Sequence, residues 1–277
     1  MEERNIQRLT KALGLRRKIV GIKLIAYEKE FEQNVAEQWK GKLSFCAMVN
    51  KGSEGIMLKA NKDNFGCTGG GRALGIMQTT EAAKSGRYYK ASGLYASYSI
   101  ARNVTEHMQY LPYKNYGVQV GPLCEMEDAD SVIIIANARQ VMRIMQGYAY
   151  QYGAPEHLNA FGNQAMCADL VAKPLMNNDI NISFMCRGAR FFAKCDDGEM
   201  GIGIPIHMLD SLTMGIVKTM NVVETNEMKE EIKSRLSIPD ELGTSVIMDL
   251  NYPTNLAKYQ RYCEDMEAYE QREKGTS

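Results

Sequence analysis

The chain has 277 residues, 45% of them hydrophobic, and its 33 Lys and Arg balance 33 Asp and Glu. That length suits one large domain or two small ones around a real core, and the zero net charge supplies no field to draw nucleic acid or an anionic membrane. The charged opening MEERNIQRLTKALGLRRK has no apolar run of signal length, and no later run reaches the roughly 20 residues of a membrane span. A cytoplasmic protein is therefore expected, whose seven cysteines stay reduced and serve metal binding or catalysis rather than a disulfide framework.

In chain order, Ile6 to Leu13 has helical apolar spacing and ends near Gly14, and Lys18 to Ile25 alternates as a half-buried strand. Glu28 to Trp39 is polar, a surface helix or loop, and Cys46 to Val49 starts a helix. CTGGGRALG, Cys67 to Gly75, has the look of a phosphate loop, but its glycines lack the Walker and dinucleotide spacings and no Gly-Lys-Ser/Thr follows. A helix is expected from Arg72 through Glu81 to Ala83, with Leu74 and Met77 on one face. Residues 86–116 are dense in tyrosine without a strong period, which suits packing or the lining of a pocket. Val118 to Leu123 is an apolar segment. Ser131 to Ala136 is a continuously apolar strand for a sheet covered on both faces, and a helix follows with Val141, Ile144, Met145 and Tyr148 on one side. Two helices close the chain, Glu227 to Leu236 stopped by Ile238-Pro239, and Thr254 to about Gln271. The 18 methionines are adaptable core filler. Three histidines are few for a zinc enzyme or a catalytic triad, and His107, His157 and His207 form no H-E-x-x-H pair.

The cysteines carry a repeat. Cys46-Ala47 is followed about twenty residues later by Cys67-Thr68-Gly69-Gly70-Gly71-Arg72, and Cys167-Ala168 by Cys186-Arg187-Gly188-Ala189-Arg190. Each unit follows a strand and precedes an apolar segment with a Gly-Pro or Ile-Pro step, so His207 falls near the place of Cys124. Duplication implies two similar halves about an approximate two-fold axis, where equivalent residues converge. Cys46, Cys67, Cys167 and Cys186 then make a four-thiolate site. Closely spaced zinc knuckles are absent, and ligands scattered one per loop suit an iron–sulfur cluster. Gly69, Gly70 and Gly188 allow close backbone approach, and Arg72 and Arg190 supply positive charge to the cluster or an anionic ligand. Against this stands the plain reading that a buried thiol is common core material, which is preferred for Cys124, Cys195 and Cys263.

The order of a strand, Cys-Ala-x-Val, Cys-x-Gly-Gly-x-x-x-Leu-Gly, Gly-Pro-Leu, AlaAspSerValIleIleIleAlaAsn, GlnValMetArgIleMet and Cys-x-Gly-Ala-Arg resembles the domain-of-unknown-function family numbered 169, over roughly Gly21 to Leu212. The resemblance implies archaeal or anaerobic bacterial hosts, a setting suited to an oxygen-sensitive cluster, and no assigned activity.

The expected fold is α/β, two related halves sharing one core with helices outside: residues 1–125 with the tyrosine-rich insertion, 126–222, and a helical extension at 223–277. The expected function is redox or electron transfer at a 4Fe-4S cluster on the four repeated cysteines. A small-molecule substrate or a redox protein is the partner, and self-association into a homo-oligomer is left open. The alternatives are a small-molecule or tetrapyrrole binding protein with structural cysteines, and thiol chemistry at Cys67 or Cys186 at a helix N-terminus.

Overall fold

The computed structural model describes residues 3–236 together with Glu264 and Gln271. The amphipathic opening forms α1 (Glu3–Leu13), which Gly14 ends at a φ of 62° before the chain enters β1 (Val20–Ile25). Then come α2 (Glu28–Gln33), β2 (Glu37–Gln38), α3 (Phe45–Ser53), β3 (Leu58–Asn61) and α4 (Thr68–Ala73). The tyrosine-rich segment folds as α5 (Glu81–Lys84), α6 (Arg87–Ala91) and α7 (Tyr98–His107) and leads into β4 (Gly117–Pro122). The second part runs β5 (Ser131–Asn137), α8 (Ala138–Tyr152), a π-helix at Ala165–Ala172 continued by α9 (Lys173–Asn177), β6 (Asn181–Ser183), α10 (Arg187–Phe192) and β7 (Glu199–Pro205). It ends with α11 (Leu209–Lys218), α12 (Met220–Val223) and α13 (Asn226–Leu236).

The strands form one mixed sheet of order β2-β3-β4-β1-β5-β7-β6, in which only β2 and β3 run parallel. Alternation decides its two faces. Val20, Ile22, Val118, Val120, Ile133 and Ile135 point to one side, under α3, the π-helix and α10. Val132, Ile134, Ala136, Ile202 and Ile204 point to the other, under α1, α8 and α11. The apolar β5 is thus covered on both faces, as its composition predicts. Among the described residues no helix is long and apolar enough to cross a membrane.

Outside β2, the pairing repeats outward from the middle. Around the Gly21–Val132 pair, Val20 faces Ile133 and Ile22 faces Ser131. Val20 faces Pro122 in β4 as Ser131 faces Pro205 in β7. The Leu123 N–H donates to the Ile19 carbonyl at 2.9 Å, as the Ile206 N–H donates to that of Asp130 at 3.1 Å. Cys124 and His207 occupy the 3₁₀ turns after the two prolines, and both are exposed.

One expected element differs. The helix read from Arg72 to Ala83 is broken, because Ile76 and Met77 N–H groups bond back to the Gly71 carbonyl and Gly75 turns left-handed at a φ of 68°. A Cβ at Gly75 would stand 2.1 Å from the Pro112 oxygen, so the chain leaves the helix there, and a new one starts at Thr80, whose side chain caps α5. Cys263, the Ile238-Pro239 stop and almost all of the last expected helix lie outside the described residues.

Candidate functional site

All four repeated cysteines come together on one face of the sheet. Cys46 is the second residue of α3, whose start is held by Ser44 accepting the Ala47 N–H at 3.2 Å. Cys167 is the third residue of the π-helix. Its entry residue Gln164 sits in the left-handed region at φ 51°, and its carbonyl accepts both the Ala168 and Asp169 N–H groups. Cys67 and Cys186 are the N-cap residues of α4 and α10, both with φ of −128°. Cys46 and Cys167 are buried, at 8% and 6% exposure, within one core cluster, and the half-buried Cys67 and Cys186 pack against it. Two thiols are therefore deep and two face outward. A π-helix and a left-handed non-glycine residue side by side are the kind of costly backbone that collects at functional sites. Met185, at φ 70°, adds the same strain directly before Cys186.

The electrostatics distinguish the four. Cys46 acts as a donor toward Cys186, which together with burial and the charges of Cys167, Cys186 and Cys67 pushes its own thiol well up. Burial first, and then the charges of Cys67 and Cys186, push Cys167 up as well. Cys186 moves the other way, down to about 5: the Cys46 thiol is the largest cause, and together with the backbone N–H groups of Ala165, Ala189 and Gly188 it outweighs burial. Four adjacent thiolates repel one another, so the group cannot ionise fully without a compensating positive charge.

The space between them is specific. A Cβ at Gly188 would lie 3.7 Å from both the Cys186 and the Cys46 sulfur, and one at Gly70 would press to 2.9 Å from the Cys67 sulfur. Among the described residues no three His, Cys, Asp or Glu side chains are drawn in closely enough to hold a single metal ion. A tetrahedral zinc with Zn–S bonds of about 2.3 Å needs its thiolates roughly 3.8 Å apart. The donor set is all sulfur, with N–H groups aimed at one outer sulfur.

The other expected residues fall as follows. Gly69 lies under the Gln164 side chain, 3.5 Å from where its Cβ would be. Arg72 is half-buried, and its charge acts on the Tyr110 hydroxyl. Arg190 spends its guanidinium on the carbonyls of Asp196 and, at 3.1 Å, Phe184, which braces the two ends of the α10 segment. Cys195 is buried in the core cluster that also holds Cys46 and Cys167, with its thiol pushed up to about 11 by desolvation, and Cys124 is exposed.

Several neighbours escape a reading of the sequence. Asp169, 3% exposed, accepts from Ser183 at 2.8 Å and has its carboxyl raised to about 7, mainly by burial. Tyr89, Tyr95, Tyr110, Asn163 and Gln164 gather over Cys167. The tyrosine density was visible; nothing in its spacing pointed to the cysteines.

Fold and site together define a mixed α/β protein with four converging thiols on one face of a sheet whose pairing repeats about its centre. The chain belongs to the DUF169 family, described as uncharacterised ArCR, which matches residues 8–215. No curated protein and no solved structure matches it.

Proposed function

We propose that Cys46, Cys67, Cys167 and Cys186 hold an iron–sulfur cluster of the 4Fe-4S kind and that the protein works in redox or electron transfer. The observation that supports this is the convergence of four cysteines from four separate elements onto one place. When bound, such a cluster supplies one-electron redox chemistry. The protein's own residues have distinct parts. Cys46 and Cys167 anchor from the core, and Cys67 and Cys186 close the outer side. The N–H groups of Gly188, Ala189 and Ala165 stabilise negative charge on the Cys186 sulfur, which favours the reduced state and raises the potential. Gly188 leaves room between two sulfurs. A cytoplasmic setting and a small-molecule substrate or redox protein as partner go with this reading.

The repeated register of the sheet, together with the Cys-Ala to Cys-x-Gly units, supports descent of the two halves from one duplicated ancestor.

The test is anaerobic purification followed by iron, acid-labile sulfide and visible absorption measurements on the wild type and the seven single Cys→Ala variants. Brown protein, with iron lost only in the Cys46, Cys67, Cys167 and Cys186 variants, is the expected result. Colourless wild type after anaerobic reconstitution, or iron indifferent to position, defeats it. A second reading, thiol chemistry, is favoured by the depressed Cys186 thiol alone. It predicts colourless protein alkylated fastest at Cys186 at neutral pH.

A further inference from the structure

The side chains over Cys167 leave a set of polar atoms unanswered. Among the described residues the Tyr95 hydroxyl, the Asn163 amide nitrogen Nδ2 and the Gln164 oxygen Oε1 are buried without a hydrogen-bond partner. Buried polar groups are nearly always paired, and each exception calls for a reason. These three are neighbours: Gln164 Nε2 donates to the Tyr89 hydroxyl, and the Tyr89 and Tyr95 rings meet edge to face at 6.2 Å. Asn163 reaches the Tyr89 hydroxyl without forming a well-aligned bond to it. Gln164 also lies over Gly69, where the missing Cβ leaves its Oε1 3.7 Å from the built position.

One formal charge belongs to this group. Arg72, three residues beyond Gly69 in α4, is half-buried, and among the described residues it makes no hydrogen bond or ion pair; its field falls on Tyr110. Hydroxyls of tyrosine are protonated at neutral pH. The set therefore offers the Arg72 guanidinium, the Tyr95 hydroxyl and the Asn163 amide as donors, with the Gln164 oxygen and the tyrosine hydroxyl oxygens as neutral acceptors. Water can answer the polar atoms and hydrate the half-exposed guanidinium, but only as separate molecules. An anion with two coplanar oxygens answers both, since a guanidinium takes such a group through paired N–H bonds. Access exists as well. Tyr110 stands between this group and an open cleft of about 1000 Å³ beside α5 and α7, and Gln109, whose Oε1 is also unpaired, lines that cleft.

We propose that Arg72, Tyr95, Asn163 and Gln164, framed by Tyr89 and Tyr110, bind a small organic carboxylate against the Cys67 and Cys167 side of the four thiols, entering through the cleft at Tyr110. The site is built from these side chains and stands whether or not the thiols carry iron. If they do, it places a carboxylate substrate beside the redox group.

The experiment is calorimetric titration of anaerobically purified full-length protein, with iron measured on the same sample. The probes are acetate, pyruvate, succinate and benzoate, each paired with its neutral amide, and inorganic phosphate. At least one carboxylate should bind at least ten-fold tighter than its amide. Arg72→Gln and Tyr95→Phe should each weaken that binding at least ten-fold, while Arg187→Gln, an exposed cation at the start of α10, leaves it unchanged. Without ligand, Tyr95→Phe should raise the thermal midpoint, because it removes an unpaired buried hydroxyl, and this reports on the site even if Arg72→Gln fails to fold. Absence of binding by every carboxylate, binding of phosphate alone, or carboxylate binding indifferent to both variants overturns the proposal. Iron-free protein that still binds the carboxylate through Arg72 sinks the cluster and keeps the site; iron-loaded protein that binds none does the reverse.

Discussion

At the residue scale the smallest side chain of the site gives the sharpest discrimination. Gly188→Ala adds a Cβ at an ordinary van der Waals distance, 3.7 Å, from two sulfurs, so the fold should tolerate it to within about 0.5 kcal/mol. The same methyl fills space that a cluster needs. Denaturant unfolding of metal-free protein should be unchanged while bound iron falls by more than half; equal iron in variant and wild type means the space is not used. Asp169 makes a pH prediction. Its carboxyl is raised from 3.8 to about 7, chiefly by burial, so the folded state holds a proton that the unfolded state has released between those values. Stability is therefore highest at low pH for this group, falls as pH rises from about 4 to about 7, and loses on the order of 4 kcal/mol. Asp169→Asn keeps an acceptor for the Ser183 hydroxyl and removes the charge. Urea unfolding at pH 5 and pH 8 should show the variant gaining on wild type at the higher pH, and an equal gap at both would mean that Asp169 is ionised in the folded protein.

At the scale of elements, the π-helix that carries Cys167 lies directly on β7. The strand presents Gly201 and Gly203 there, and a Cβ at Gly203 would come within 2.1 Å of the Leu170 carbonyl oxygen. That neighbour is backbone and cannot turn aside. Gly203→Ala should cost on the order of 2–3 kcal/mol by lifting the π-helix, and it should lower iron content in step, since Cys167 moves with the helix. Gly198→Ala, with nothing within 4 Å of its Cβ, is the control and should change neither. A Gly203→Ala protein of wild-type stability would show that the helix does not rest on the strand. The elements also show where sequence reading succeeds. α1, β1, β5 and α8 follow from the apolar pattern and sit where it puts them, and α3 and α13 lie where a helix is expected. The helix after Arg72 fails at Gly75, because a left-handed turn imposed by the approach of Pro112 carries no periodic signal. The π-helix is likewise invisible, since the wide turn depends on Gln164 being held in the left-handed region.

At the scale of the molecule, Arg17 ties the parts together. From ahead of β1 it meets Glu199 of β7 with two bonds, at 2.8 and 2.9 Å, and also donates to the Lys194 carbonyl at 2.7 Å and to Asn50 Oδ1 at 3.2 Å. Burial alone would lift the Glu199 carboxyl, yet the Arg17 bond and the Asp196 N–H hold it below its usual value. Arg17→Met leaves that carboxylate, 7% exposed, without its cation, at a cost of about 3 kcal/mol. The cost should shrink as pH falls below the ordinary glutamate range, where the carboxyl takes a proton. Arg17→Met combined with Glu199→Met should recover most of it. Chemical denaturation of the four proteins checks the cycle, and a double variant no better than the single one would place the loss elsewhere. The duplication has its own measurement. Superposing residues 19–125 on 130–208 should bring Cys46 onto Cys167 and Cys67 onto Cys186, and unrelated positions would end the duplication argument.

The sequence by itself settled the α/β class, several long elements and the family, and it singled out the four repeated cysteines, because periodicity, a spaced repeat and ordered motifs are written in neighbouring residues. Only the tertiary structure decided that the four thiols meet, that two are deep and two outward, and that the tyrosines with Asn163 and Gln164 stand over Cys167. Those facts depend on strand register, on which face each alternating side chain takes and on backbone held left-handed at Gln164 and Met185. Each is a long-range pairing or a locally unfavourable geometry imposed by packing, and neither leaves a mark on the spacing of residues along the chain.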